Sequence, residues 1–297
     1  MRLMGSDGAT CTRIGLLVNI LLTVLKLAAG ILGRSQAMIA DALHSFSDVV
    51  ATGGVYIGFK IAERPADRNH PFGHGNADTL AAIFVAIILL LTGIYIGGQA
   101  FHIIVHEAYD EPTSVALWAA VLSIVVKELL FRYTLKVGRR LNSRAIVANA
   151  YDHRSDAYSS VAAFIGIVGA KLGLILLDPI AGFVIAGLIV RMAFHLMKTN
   201  VNILMDGMPE GTVVTEVLDT AGRVEGVVGT RGTRIHPVGP GNIVDIKILV
   251  DRHLSVEEGH RIASQVKEVL IAEHGHIRDV IVHVEPDNRT DTSEGRA

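Results

Sequence analysis

Six stretches of mainly apolar sequence, near 14–32, 37–61, 80–105, 114–135, 146–176 and 179–197, dominate the first two thirds of this 297-residue chain. A helix needs about 20 such residues to cross the hydrocarbon core of a bilayer. No water is available there to satisfy backbone N–H and C=O groups, so each segment must pair its own as a helix. Half of all residues are hydrophobic and only 19% are charged, which matches a multi-pass membrane protein rather than a soluble domain. The first run is as long as a full span and is read as one, not as a cleavable signal peptide.

The connections carry an orientation signal. The segment 136–144 holds Lys136, Arg139, Arg140 and Arg144, whereas 106–112 holds only acids, Glu107, Asp110 and Glu111. Basic loops stay in the cytoplasm, so the first lies inside and the second outside. With six spans both termini are then expected in the cytoplasm, in a bacterial inner membrane or an organelle membrane derived from it. A net charge of -2 supplies no basic field for nucleic acid. The single cysteine, Cys11, excludes a disulfide framework and any CxxC metal site.

Past Met205 the texture changes to alternating charged and aliphatic residues. Residues 1–207 are read as the transmembrane domain, 208–286 as a small cytoplasmic dimerisation or regulatory domain, and 287–297 as a disordered tail. The periodicity predicts helix 210–222, strands 227–236 and 242–250, helix 255–272 and strand 279–285, with a turn at Gly239-Pro240-Gly241. Ser255 followed by Glu258 is a capping box for the second helix. The α-β-β-α-β order predicts a two-layer, metallochaperone-like α+β sandwich. Its short length leaves a modest core and favours dimerisation.

Charged groups inside spans carry the functional signal, because an Asp at a span centre costs roughly 2.5–3.5 kcal/mol on the insertion scale. In the second span His44 and Asp48 stand at i and i+4, on one helix face, and in the fifth Asp152 and Asp156 do the same. Two such pairs converge naturally on a four-ligand tetrahedral cation site. The competing reading is a set of interhelical hydrogen bonds or ion pairs, with Arg154 as a carboxylate's partner. His153 lies about 100° around the helix from Asp152 and stays outside the ligand set. Asp41 is read as a supporting acceptor or part of an access path. Lys26, Lys127 and Glu128 are taken as intramembrane partners or snorkelling groups.

Between the second and third spans, Asp67, His70 and His74 have spacings that suit a second ion, or equally suit solvated loop residues with capping duties. His102, His106, His195 and His236 are read as interfacial or surface residues. Gly53/Gly54, Gly93, Gly97/Gly98 and Gly166/Gly169 would let helices approach closely and slide, or simply pack.

Together the run Ala-Asp-x-x-His-Ser-x-x-Asp at 40–48, the Pro-Ala-Asp…His-Gly loop at 65–75 and the His-Arg-Ser-Asp-Ala run at 153–157 resemble the cation diffusion facilitator, or cation efflux, family. The likeness runs from the first span to Pro286. Within the family, Asp152, where many zinc exporters have His, is similar to the magnetosome iron transporters. The resemblance implies a homodimeric antiporter, or a heterodimer with a paralogue, exporting zinc, iron or manganese against protons, with no prosthetic group and no enzyme activity. It implies a transport site of His44, Asp48, Asp152 and Asp156 and a loop site of Asp67, His70 and His74. An oxygen-rich ligand set accommodates manganese or ferrous iron better than a His-rich one. His44 is the natural proton carrier.

The resemblance also implies a weak C-terminal site of Asp245, His260, His283 and Glu285. Two positions where relatives supply histidine ligands hold Arg231 and Lys247 here. A family lock between a base after the loop motif and the acid after the sixth span has Asn76 in place of the base, while Asp206 remains. The alternative function is a non-transporting metal-sensing or assembly subunit of a membrane complex.

Overall fold

The computed structural model describes residues 2–107, 110–141, 143–208, 211–239 and 241–288. The expected tail therefore lies almost entirely outside the described residues, as does Pro240 of the expected turn. Six long helices come first: α1 (Arg2–Leu32), α2 (Gln36–Ala62), α3 (Ala77–Val105), α4 (Ser114–Arg140), α5 (Arg144–Lys171) and α6 (Leu177–Leu204). Four of them, α1, α3, α4 and α6, are long and apolar enough to cross a membrane. The two that fall short, α2 and α5, carry two acids each, Asp41 and Asp48 on one and Asp152 and Asp156 on the other.

The fifth apolar stretch breaks earlier than expected. Gly173 adopts φ 101°, and the N–H of Leu174 reaches back to the carbonyl of Gly169 at 3.0 Å, the bond that closes a helix on a left-handed glycine. At the same end of the bundle, Ser35 caps α2 by accepting from the Met38 N–H at 3.0 Å. Asp178 in turn accepts from the Ser35 hydroxyl and the Gln36 N–H, both at 2.6 Å.

Small side chains line the helix contacts. Ala29, Ala116, Ala119 and Ala120 pack with Met38 and Ile167, and Ala37, Ala40, Ala163 and Ala186 pack with Ile96, Ile185 and Ile189. Such residues let backbones approach where lipid offers no hydrophobic drive for association. A methyl on Gly93 would sit 3.2 Å from the Val190 nitrogen, so α3 and α6 meet closely there, whereas Gly53 and Gly98 face open space. Outward, Leu17, Leu21, Phe84, Leu91, Trp118 and Phe194 are exposed, as side chains facing lipid would be.

The second compact unit joins residues 56–83 to the C-terminal region. There α7 (Gly211–Gly222), β1 (Gly229–Val238), β2 (Gly241–Val250), α8 (Val256–Glu273) and β3 (Ile277–Pro286) follow in the expected order. The sheet runs β1-β2-β3, the first pair antiparallel and the second parallel, with α8 as the crossover. One face buries Ile235, Val244, Ile246, Ile248 and Val280 against Val217 of α7 and Ile262, Val266 and Leu270 of α8. Each such aliphatic side chain contributes about 1.5–3 kcal/mol when fully buried. The Ser255–Glu258 capping box forms as expected.

Candidate metal site

On α2, His44 and Asp48 stand one turn apart, and α5 brings Asp156 to them. One ligand atom from each of these three lies within 4.8 Å of the others, with His44 Nε2 3.9 Å from Asp156 Oδ1. His44 Nδ1 and Asp48 Oδ2 are buried without a hydrogen-bond partner among the described residues. Buried polar atoms left unpaired are costly and usually mark a missing ligand or water. The three donors are an imidazole and two carboxylates, a set that suits a divalent transition metal.

Asp152 departs from the expected tetrad. Its side chain is exposed, one turn before Asp156 on α5, and it does not join the three-residue cluster. Asp156 has a different partner. Lys127 of α4 is wholly buried, and its ammonium donates to Asp156 Oδ2 at 2.6 Å and to Asn19 Oδ1 of α1 at 2.9 Å. That contact holds Asp156 inside the bundle, whereas Asp152 is exposed. Arg154 is not the carboxylate's partner; its guanidinium lies over the Phe131 ring at 4.8 Å. His153 is buried toward Gly15 of α1, outside the cluster as expected.

Asp41 accepts from groups on two neighbouring helices. Its Oδ2 receives Lys26 Nζ and Ser160 Oγ, each at 2.8 Å, and its Oδ1 receives Ser159 Oγ at 2.8 Å. Lys26 also donates to Ser45 and Ser160, so α1, α2 and α5 are tied by a buried network. Sequence reasoning missed Asn19. Its signal was the spacing Asn19, Thr23, Lys26, which puts the polar residues of an otherwise apolar span on one helix face.

In the loop before α3, Asp67, His70 and His74 form a second cluster with ligand atoms within 4.8 Å. Asp67 Oδ1 accepts from the backbone N–H groups of Asn69 and His70 at 2.8 and 2.7 Å. The His70 N–H is the main reason its carboxyl sits below the usual aspartate range. His74 Nδ1 lies 3.3 Å from the Pro65 carbonyl, and its Nε2 faces Asp67 Oδ2 at 3.4 Å. A proton on Nδ1 leaves the Nε2 lone pair free for a metal. Nearby, Asp206 Oδ1 sits 3.2 Å from His236 Nδ1, so the acid left without its base at Asn76 finds a histidine of β1.

The C-terminal residues are divided by the sheet. Arg231, Lys247 and His283 stand side by side across β1, β2 and β3. Asp245 and Glu285 alternate onto that same face, opposite the buried Val244, Ile246 and Ile248. His260, on α8, lines a hollow with Val282 and Val284, on the other face. Lys247 Nζ holds Glu285 Oε1 at 3.0 Å, and His283 Nε2 is 3.7 Å from the same oxygen. That ammonium is the main reason Glu285 ionises below the ordinary glutamate range. Within one chain the four expected ligands do not form a cluster among the described residues.

Residues 12–205 match the family model described as cation efflux transmembrane domain, and residues 209–287 that described as cation efflux protein, cytoplasmic domain. The manganese efflux system protein MneP of Bacillus subtilis is 34% identical over 280 residues, covering 92% of this chain and 94% of the relative. The magnetosome protein MamB of Magnetospira is 38% identical over 269 residues, covering 91% and 92%. An uncharacterized transporter of Methanocaldococcus jannaschii is 37% identical over 252 residues, covering 85% and 89%.

Proposed function

The chain belongs to the cation efflux family, and from that premise we propose that it exports a divalent transition metal from the cytoplasm in exchange for protons, binding it at His44, Asp48 and Asp156. The observation that carries this reading is the buried three-residue cluster with two donor atoms left unpartnered. A buried carboxylate oxygen and imidazole nitrogen with nothing to bond are poorly explained by packing alone. Asp152, exposed one turn earlier on α5, completes the set when a dication draws it inward.

Metal and protons compete for the same atoms, since carboxylates and imidazole must be deprotonated to bind a dication. That competition supplies the coupling, with His44 as proton carrier. All six long helices cross the membrane, α2 and α5 shielding their acids inside the bundle, and both termini lie in the cytoplasm. Residues 1–207 form the transport domain and 208–286 the domain through which two copies associate. Asp67, His70 and His74 form an accessory site on the loop. Asp245, His283 and Glu285 bind metal only where a second copy adds donors to their face of the sheet. Manganese leads the metals, given the oxygen-rich donors and the likeness to a manganese efflux protein, with ferrous iron and zinc behind it.

One observation favours the rival reading of a non-transporting sensing or assembly subunit: Lys127 already neutralises Asp156 as a static ion pair would. Flux decides between them. In liposomes with an imposed pH gradient, the purified protein is expected to move manganese, zinc or ferrous iron, and Asp156→Ala to lower that flux to background. Metal binding without gradient-dependent flux in the wild type would establish the rival.

A further inference from the structure

The two oxygens of Asp156 have different partners. Oδ1 faces His44 Nε2 at 3.9 Å, whereas Oδ2 accepts from Lys127 Nζ at 2.6 Å. The ammonium is held a second time by Asn19 Oδ1 at 2.9 Å, so helices α1, α4 and α5 fix its position together. Lys127 has no solvent access, and among the described residues Asp156 is its one carboxylate partner. Pulling a buried ammonium off its carboxylate leaves an uncompensated charge in the interior, which is strongly unfavourable. An arriving dication therefore meets a carboxylate that is already half engaged.

We propose that Lys127 stays on Asp156 Oδ2 through the transport cycle as a permanent counter-cation, so that Asp156 offers the cargo Oδ1 alone and the ammonium limits how tightly the metal is held. The inference rests on the metal-site reading given above. Charge balance supports it: the carboxylates of Asp48, Asp152 and Asp156 equal the combined charge of one ammonium and one dication, with His44 neutral. The loaded site then crosses the membrane without surplus charge. Removing the ammonium deepens the well for a dication, which helps capture and hinders release.

Lys26 provides the contrast. It is equally buried and equally paired, but its acid, Asp41, has both oxygens engaged by Lys26, Ser159 and Ser160 and lies outside the cluster. Lys26 fixes helices, while Lys127 is a positioning residue that acts on the cargo through Asp156.

The test uses the full chain in liposomes, with initial flux measured against the concentration of manganese or zinc, whichever the wild type moves faster. Lys127→Gln keeps a hydrogen-bond donor for Oδ2 and removes the charge, while Lys127→Arg keeps both. Repulsion between an ammonium and a dication a few ångströms apart in a poorly screened site is large, so Lys127→Gln is expected to lower KM by about tenfold or more. Its maximal rate should fall because release is slowed. Lys127→Arg should keep the wild-type KM.

A merely structural role would lower the maximal rate or the inserted amount and leave KM where it was. An unchanged or raised KM in Lys127→Gln overturns the proposal. Should that variant fail to insert, Lys127→Arg decides alone, and a tenfold shift of its KM overturns it. Asp156→Ala separates the two readings: wild-type flux there defeats the metal site itself, whereas lost flux there with an unmoved KM in Lys127→Gln defeats only the counter-cation.

Discussion

A lysine grips a carboxylate both in the helical bundle and on the C-terminal sheet, yet the two regions differ in what surrounds the pair. Lys127 and Asp156 are sealed among α1, α4 and α5, beside a buried imidazole and carboxylate that have unpaired atoms. Lys247 and Glu285 stand on the open face of the sheet, with side-chain exposures of 45% and 25%, and the neighbouring His283 is more exposed still. The same ion pair therefore adjoins the candidate cation site in one place and is a solvated surface contact in the other. Burial decides the difference, because charges screened by water interact weakly and charges in the interior do not.

The contrast is tested most strongly by truncating one side chain at each of the three candidate sites. In the liposome assay Asp48→Ala is expected to reduce flux to background, since it deletes an acid of the cluster. His70→Ala should slow transport severalfold, because the loop cluster is exposed and one of its three donors is lost. Glu285→Ala should leave flux at the wild-type level. Equal losses in all three variants would erase the distinction between the regions, and a fully active Asp48→Ala would reverse it.

A smaller effect tests the C-terminal pair by itself. Lys247 holds the Glu285 carboxyl below its ordinary range, and a carboxylate with a depressed folded pKa stabilises the fold above its unfolded pKa. The contribution disappears as the pH falls through the folded value. Lys247→Ala should thus weaken amide protection along β2 and β3 slightly at neutral pH and not at all under acid conditions, read by hydrogen exchange on the full chain. An effect that grows on acidification would contradict the assignment.

The helices of the bundle were legible because hydropathy and length act locally, and the α-β-β-α-β order was legible because alternation and a capping box at Ser255 do too. The i,i+4 spacing of His44 and Asp48 was equally local. What the sequence concealed were relations between elements. The choice of Lys127 rather than Arg154 as the partner of Asp156 depends on how α4 packs on α5, a contact 29 residues apart in the chain. The exposure of Asp152 likewise depends on how α5 is turned against its neighbours. The separation of His260 from His283 depends on which face of the sheet α8 covers, and no spacing encodes it. The end of α5 at Gly173 was written in the sequence, but the apolar run beyond it, Leu174 to Leu177, masked the break.

Metal transport by this route requires an ion to sit between α2 and α5. Anomalous scattering from crystals of the full-length protein grown with manganese would locate it directly. A peak within bonding distance of His44 Nε2, Asp48 and Asp156 Oδ1, with Lys127 still on Oδ2, is the predicted result. Anomalous signal confined to the loop cluster of Asp67, His70 and His74, with the intramembrane cluster empty at saturating manganese, would contradict it.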